Sequence, residues 1–448
     1  MTVPEPASHL KVLLSRIASR QAMVGICGLG YVGLPLASAA ARAGFRTIGF
    51  DIDASKISRL NAGQSYIDAV TSETLAQHVA RGLFRASAEF AAMSLCDIII
   101  ICVPTPLTRH REPDMSYVSG TGRSIAAALK PGQLIVLEST SYPGTTRGLL
   151  KPILEETGLN SGEDFFLGFS PEREDPGNRD FNTVTIPKLV AGEGPAGAAV
   201  AAFYRAIVEK VVEVSSIEVA EAAKITENVF RAVNIALVNE LKVVFDAMGI
   251  DVWEVIEAAK TKPFGYMPFY PGPGLGGHCI PIDPFYLTWK SREHDVPTRF
   301  IELAGEINTA MPGWVLGRLQ QALNDRQKTA LSAARILVLG LAYKKNVSDI
   351  RESPALKLIE LLERHGAAVA YHDPHVPEIP PTREHAALAG RVSVALDAAQ
   401  VEAVNAVLIV TDHDSIDYGL LARHARLVVD TRNAMARRAL ASDNVVKA

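Results

Sequence analysis

Residues 22–51 read AMVGICGLGYVGLPLASAAARAGFRTIGFD. The apolar run Met23 to Cys27, a turn with glycines at 28, 30 and 33, a stretch from about Leu34 to Ala43 and a second apolar run, Thr47 to Asp51, spell strand, turn, helix and strand, one βαβ unit. The glycine spacing carries chemistry. Gly28 permits the tight turn, Gly30 lets a pyrophosphate approach the backbone, and Gly33 lets the helix pack closely, while N–H groups of the turn, including those of Tyr31 and Val32, face the phosphates. Asp51 follows the third glycine by 18 residues, placed to accept from adenosine ribose hydroxyls and to repel a 2′-phosphate, which favours NAD over NADP. Asp53 is a near competitor for that role. A glycine-rich turn that only joins strand to helix is the plain alternative.

Outward from this unit, apolar runs suited to buried parallel strands follow at Asp97 to Val103 and Gln133 to Leu137, with a weaker one at Phe166 to Phe169. From Glu218 to Met248 there is neither Gly nor Pro, and apolar residues recur at three and four spacing, which predicts a single long helix. About 100 residues of mostly helical character extend from there to a second α/β pattern: a strand within 334–343, a helix over Pro354 to Arg364, and strands at Ala367 to Tyr371, 406–410 and 427–430. The expected fold is α/β, two Rossmann-like doubly wound domains joined by a central helical domain with one long helix. The expected bounds are 1–212 for NAD binding, 213–315 for the helical middle and 316–448 for the second α/β domain. A cleft is expected between the two ends.

The chain has 448 residues and a formal net charge of -4, without a Lys/Arg-rich run, which argues against a nucleic-acid or anionic-membrane surface and for a small-molecule partner. Its four cysteines lack CxxC spacing, which fits neither a disulfide framework nor a zinc site, and no histidine grouping suggests a metal, so none is expected. No apolar stretch reaches the ~18 residues of a membrane span, and the N-terminus lacks a signal-peptide pattern; the expected location is the cytoplasm.

The strongest chemical signal is Cys279 in GPGLGGHCIPIDPFYLTWK, residues 272–290. Glycines at 276 and 277 allow close approach to the sulfur, and prolines at 271, 273, 281 and 284 stiffen what reads as a loop that presents the thiol. A buried, inert cysteine is the ordinary alternative. His278 adjoins the thiol without having to face it, and His372, His375 and His413 read as surface or loop residues. Thr105 and Thr140 end strand-to-turn motifs (ICVPTP and LEST), where the carboxyl ends of strands line a ligand crevice; each hydroxyl equally suits a helix cap. FSPEREDPGN, residues 169–178, concentrates charge between prolines and reads first as a solvated loop, as does the KKNVSDIRESP junction, residues 344–354, where an anionic ligand is also expected. Lys224 and Asn228 lie four apart on one face of the long helix, so both can address a single atom.

With GICGLGYVGLPLA, ICVPTP, LESTSYPGT, FSPERE, KITENVFRAVNIALVNEL, GPGLGGHCIPID and KKNVSDIRESP in this order, the chain resembles the nucleotide-sugar dehydrogenases of the UDP-glucose/GDP-mannose dehydrogenase family over about residues 22–435, and within it the enzymes that act on UDP-N-acetyl-hexosamines. The resemblance implies a four-electron oxidation of a sugar primary alcohol to a carboxylate, with two NAD reduced in turn. It makes Cys279 the nucleophile, Lys224 and Asn228 the oxyanion pair, Asp283 the acid that orders water, Glu172 the base for thioester hydrolysis and Thr140 a holder of the water chain. It places Thr105, Thr140 and Arg351 at the cofactor, and Glu172, Arg173, Lys224, Asn228, Tyr270, Gly276 and Lys344 at the UDP-sugar. It also implies a homodimer, or a higher homo-oligomer, built on the long helix. Arg173 stands where UDP-glucose enzymes carry an aromatic, and 260–270 offers Lys260 and Lys262 but no arginine; Arg173 either recognises a polar acyl group or pairs with Glu174 or Asp175. The rivals are UDP-glucose, UDP-N-acetylmannosamine, UDP-N-acetylgalactosamine or GDP-mannose as substrate, a two-electron hydroxy-acid dehydrogenase, which needs no cysteine, and a non-catalytic NAD sensor.

Overall fold

The structure is a computed structural model, and it describes residues 6–108, 110–174, 181–277, 279–382, 384–440 and 442–448. The chain forms two compact units, residues 1–227 with 285–296, and residues 228–284 with 297–448.

In the first unit, strands β1 (Met23–Cys27), β2 (Arg46–Phe50), β3 (Phe84–Ser87), β4 (Ile98–Ile101), β5 (Leu134–Leu137), β6 (Phe166–Phe169), β7 (Lys188–Gly192) and β8 (Val211–Glu213) form one sheet in the order β3-β2-β1-β4-β5-β6-β7-β8. The first six strands in that order are parallel, the arrangement of a dinucleotide fold, and they change direction of winding between β1 and β4. The residues of β4 and β5 are almost entirely enclosed, as expected of parallel strands covered on both faces: Ile98 to Ile101 and Leu134 to Leu137 have no solvent exposure. β7 runs antiparallel to β6, with Phe169 opposite Ala191, and β8 extends the sheet. Neither β7 nor β8 is evident from apolar patterning, because KLVAG is short and opens on a lysine and VVE is only three residues. The helix Pro6–Ala18 is likewise an addition to what the sequence reading assigned.

In the second unit, β9 (Arg335–Leu339), β10 (Ala368–His372), β11 (Ala406–Ile409), β12 (Val428–Asp430) and β13 (Val445–Lys447) form a parallel sheet in the order β10-β9-β11-β12-β13. The helix Pro354–Arg364 begins with Ser353, whose hydroxyl accepts from the Ala355 N–H, and with Pro354 at its first turn, where a missing N–H costs nothing. A 29-residue helix, Arg299–Gln327, packs on this layer.

The long helix is one element, Ile217–Ala247, and the division between the units falls within it, after Glu227. A correction concerns residues 279–291: they are a helix, Cys279–Ser291, not a loop. Pro281 falls in its first turn, which needs no intrahelical N–H partner, and only Pro284 sits further inside. Among the described residues no helix is long and apolar enough to cross a membrane, and no group of three His, Cys, Asp or Glu side chains is arranged to hold a metal.

Candidate active site

The glycine turn after β1 has the shape that its spacing implies. Gly28 adopts φ +90°, and a Cβ there would meet the Cys102 carbonyl oxygen at 2.6 Å; a Cβ on Gly33 would fall on the Gly28 carbonyl, so the helix Gly33–Arg42 can seat only on a glycine. Above Gly30 the space is open, with no atom within 4 Å of an added Cβ. That gap lies where the pyrophosphate of a dinucleotide would pass. Asp51, just beyond β2, accepts the Leu29 N–H at 3.0 Å and the Asp53 N–H at 3.0 Å, and Lys56 stands 3.6 Å away. Asp53, its competitor, caps the helix Ala54–Asn61 by accepting the Ser55 and Lys56 N–H groups, which leaves Asp51 as the acid facing the turn.

The carboxyl ends of β4 and β5 are tied to each other. The Ser139 hydroxyl donates to the Val103 carbonyl at 2.7 Å, Thr105 is buried with its carbonyl accepting from Tyr286, and Thr140 is half-buried. Neither threonine caps a helix: the residues at the following N-termini are Met115 and Thr145. Behind this edge, Glu221 of the long helix accepts from the Gly144 N–H (2.5 Å) and from both the N–H and the hydroxyl of Thr146 (2.9 and 2.7 Å), and burial pushes its carboxyl up to about 7 despite those donors.

At the end of β6, the Glu172 carboxylate accepts the N–H groups of Arg173 (2.6 Å) and Glu174 with one oxygen, and the Lys188 ammonium at 3.3 Å with the other. Lys188 is bonded more closely to Glu138, whose second oxygen takes the Tyr204 hydroxyl at 2.7 Å. Burial raises Glu138 to about 7 against the attraction of Lys188. Burial works on Glu172 too, but Lys188, the Glu174 N–H and Lys224 overcome it and hold this carboxyl below its usual range. Burial and the charge of Glu172 push Glu174 up to about 8. Sequence reasoning missed Lys188, Tyr204 and Glu221 and assigned nothing to Glu138, although Glu138 lies within the LEST motif that it quoted. Arg173 reaches Glu227 on the long helix (2.7 Å) and the Pro187 carbonyl (2.6 Å); among the described residues it is not paired with Glu174. Asp175 and residues 176–178 lie outside the described residues.

In the second unit, the buried amide of Asn228 donates to Asp283 at 2.6 Å. Asp283 follows Cys279 by one turn of the same helix, and Cys279 is the first residue of that helix. The Cys279 side chain and His278 lie outside the described residues. The other three cysteines are buried, and burial raises all of their thiols, Cys96 to about 12, so none offers a ready thiolate. The glycine loop before Cys279 is held by a buried amide chain: Asn308 donates to the Ala232 carbonyl, Asn239 donates to Asn308, and the Gly272 N–H donates to Asn239 at 3.0 Å. A Cβ on Gly276 would meet Tyr343 Cβ at 2.6 Å, and the Gly277 N–H donates to the Arg351 carbonyl at 2.9 Å. The loop's glycines therefore let it lie on the 341–354 junction, a packing reason that the sequence reading replaced with ligand access. Lys344 lies 5.9 Å from the Tyr343 ring centroid, and Arg351 forks onto Asp349. Tyr270 donates to Glu257 at 2.6 Å and stacks on Trp253. His413, read as a surface or loop residue, does lie in a loop but is buried: it accepts the Asn346 N–H at Nδ1 and donates from Nε2 to Asp373 at 3.0 Å.

A dinucleotide turn with its acid, a buried Asn–Asp pair one turn from a helix-opening cysteine and a second parallel sheet define an NAD-dependent dehydrogenase with two nucleotide-type folds. Three models of the UDP-glucose/GDP-mannose dehydrogenase family match in order: the NAD binding domain at residues 22–210, the central domain at 218–310 and the UDP binding domain at 337–437. The chain belongs to that family and is an NAD-dependent nucleotide-sugar dehydrogenase with a UDP-sugar as its substrate class. It is 38% identical to UDP-N-acetyl-D-glucosamine 6-dehydrogenase of Pseudomonas aeruginosa over 79% of this chain and 83% of that one. It is 34% identical to NDP-N-acetyl-D-galactosaminuronic acid dehydrogenase of Ralstonia nicotianae over 94% and 97%. The solved structure of UDP-D-ManNAc dehydrogenase from Pyrococcus horikoshii superposes with a TM-score of 0.83 at 32% identity, covering 95% of this chain and 97% of that one.

Proposed function

We propose that this enzyme oxidises the primary alcohol of UDP-N-acetylglucosamine to the uronic acid in two two-electron steps through a covalent intermediate on Cys279. The observation that carries this reading is the buried Asn228–Asp283 hydrogen bond on the turn following Cys279, a polar pair that an apolar core has no use for and a thiolate acylation site does. A helix N-terminus also favours negative charge at its first residue, the position of Cys279. The Gly28–Gly33 turn and Asp51 would hold NAD, which would supply the hydride acceptor for each step. On the protein side, Lys224 and Asn228, four residues apart on one helix, steady the negative charge that develops on the sugar oxygen. The Cys279 thiolate adds to the aldehyde carbon to give a thiohemiacetal, which becomes a thioester on loss of the second hydride. Water then attacks the thioester carbonyl while Glu172 takes its proton; the C–S bond breaks, the acid leaves and the thiolate returns. Thr140 and Asp283 order that water. Arg351 binds the cofactor pyrophosphate, and Arg173, Tyr270, Gly276 and Lys344 line the UDP-sugar.

The N-acetylglucosamine preference draws on the relative from Pseudomonas aeruginosa. UDP-N-acetylmannosamine is the second reading, favoured by the Pyrococcus relative, which matches over 92% of this chain. A homodimer through the long helix is part of the proposal: Phe230, Leu237 and Val244 are exposed along it and Met248 just past its end, more apolar surface than a lone helix face usually leaves to water. Product mass and NADH stoichiometry on a panel of UDP-N-acetyl sugars test the whole. Two NADH per acid are expected, and Cys279→Ser should lose acid formation by about 10³-fold or more. One NADH per sugar, or full acid yield from the serine variant, contradicts the mechanism.

A further inference from the structure

Four side chains run from the core to the site in the first unit: Tyr204, Glu138, Lys188 and Glu172. Side-chain exposure is 0% at Glu138, 4% at Lys188 and 13% at Glu172, so Glu172 is the outer member and Lys188 the link behind it. One ammonium serves two carboxylates. Glu138 is fixed from within by the Tyr204 hydroxyl, so it cannot follow Lys188 outward, and Lys188 is in turn fixed at the start of β7, antiparallel to β6, whose end at Phe169 leads into Glu172. An isolated buried lysine would be strongly disfavoured; here two carboxylates hold it charged, and its charge in turn holds theirs.

We propose that Lys188 is a positioning residue for the hydrolytic half of the reaction, fixing the Glu172 carboxylate in place and in its ionised form, while Glu138 competes for the same ammonium and so limits how weak a base Glu172 becomes. The inference rests on the reading of Glu172 as the base of thioester hydrolysis. Among the described residues, the titratable groups that bear on Glu172 and Lys188 come from five elements: Glu138 after β5, Cys102 after β4, Tyr204 on the helix Ala196–Arg205, Glu174 in the loop after β6 and Lys224 on the long helix. Among these described groups only Lys188 and Lys224 are positive, and Lys224 is already assigned to the oxyanion. Removing Lys188 leaves Glu172 beside Glu138 and Glu174 without its nearer cation, which raises its proton affinity. Removing the charge of Glu138 gives Lys188 wholly to Glu172 and lowers it.

The test uses the full-length enzyme, NAD and whichever UDP-N-acetyl sugar the wild type oxidises, with steady-state turnover across pH and acid-quenched mass of the enzyme. Lys188→Met should accumulate the sugar adduct on the protein, release acid about 100-fold more slowly and move the acid limb of the turnover profile to higher pH by about one unit. Glu138→Gln should move that limb the opposite way. Lys188→Arg should restore most of the rate. Should Lys188→Met fold poorly, the double variant with Glu138→Gln removes the buried pair as a unit, and its limb should lie between those of the two single changes. Glu172→Gln separates the two layers of argument. If it slows acid release while Lys188→Met alters neither rate nor profile, the positioning role is overturned and the base stands. If Glu172→Gln leaves acid release intact, the base assignment fails and the role of Lys188 fails with it.

Discussion

The two glycine turns of this molecule start alike and end differently. Gly28 and Gly340 each follow the first strand of their sheet in the left-handed region, and each donates its N–H to the last residue of the neighbouring strand, Phe50 at 2.8 Å and His372 at 2.9 Å. The next residue's N–H, from Leu29 or Leu341, goes to an aspartate just past that strand, Asp51 or Asp373. Beyond this point they diverge. Asp51 takes one further N–H, from Asp53, and keeps acceptor capacity for a ribose. Asp373 takes Leu341, Ala342, His375, Val376 and the ring of His413, and has none left. Where the first turn has Gly30 under open space, the second has Ala342, buried, with its carbonyl accepting from Thr411. The same local geometry is thus left open in the first unit, which matches the family's NAD binding domain, and is closed into core in the other. Under the proposed assignments, a nucleotide bound there relies on side chains such as Lys344 in place of a bare backbone.

The largest effects come from filling the turns themselves. In Gly33→Ala the methyl would sit on the Gly28 carbonyl; in Gly340→Ala it would sit on the Thr411 carbonyl at a residue with φ +83°. Each should destabilise its unit by about 3 kcal/mol or more. Gly33→Ala should also weaken NAD binding at least 100-fold, whereas Gly340→Ala should leave it within a factor of three, as read by quenching of protein fluorescence on NAD titration. Equal losses of NAD affinity in both variants would break the comparison.

The aspartates give the next contrast. Burial alone would raise Asp373, but the His413 hydrogen bond and the turn's N–H groups hold its carboxyl down to about 2, below the usual 3.8. A depressed acid contributes stability that is present above the unfolded value and lost as pH falls through the folded one, so the window lies between about pH 4 and pH 2 and amounts to roughly 2 kcal/mol. Asp373→Asn should lower stability near neutrality by about 2–3 kcal/mol, flatten the acid limb of urea denaturation and leave the NAD KM unchanged. Asp51→Asn should do the reverse: little change in stability, an NAD KM about tenfold higher and a smaller preference for NAD over NADP.

Much of this contrast can be read from the sequence, and the unread part has a common cause. Met23–Cys27 and Pro354–Arg364 follow from apolar runs and a Ser-Pro start, and the 31-residue helix follows from its unbroken apolar periodicity, all signals local to the chain. Lys224 and Asn228 stand out because their spacing is helical, and Asp283 because the family motif carries it. Lys188 gives no such sign. It lies 50 residues from Glu138 and opens a short strand, where a lysine ordinarily marks an exposed edge. His413 is likewise 40 residues from Asp373. Partners distant in sequence leave no periodicity to read, and a charged side chain reads as solvent-facing until its counter-charge is located. The cysteine helix was hidden for a different reason: Pro281 and Pro284 signal a loop unless the first sits within the opening turn.

The smallest structural change makes the finest test. Gly30 is in a backbone region open to alanine, and an added methyl meets no atom within 4 Å, so Gly30→Ala should fold with a stability within about 1 kcal/mol of the parent, and could gain slightly from a stiffer unfolded chain. Yet the methyl would occupy the room through which the pyrophosphate passes, so the NAD KM should rise about tenfold, roughly 1.4 kcal/mol, with kcat much less affected because the catalytic groups are untouched. Ala342 is the natural counterpart: Ala342→Gly would remove a buried methyl and should cost the second unit about 1 kcal/mol without creating any NAD affinity, since Asp373 remains saturated. If Gly30→Ala instead left the NAD KM unchanged, the open space above that glycine would not be the cofactor's, and the difference between the two turns would reduce to their aspartates.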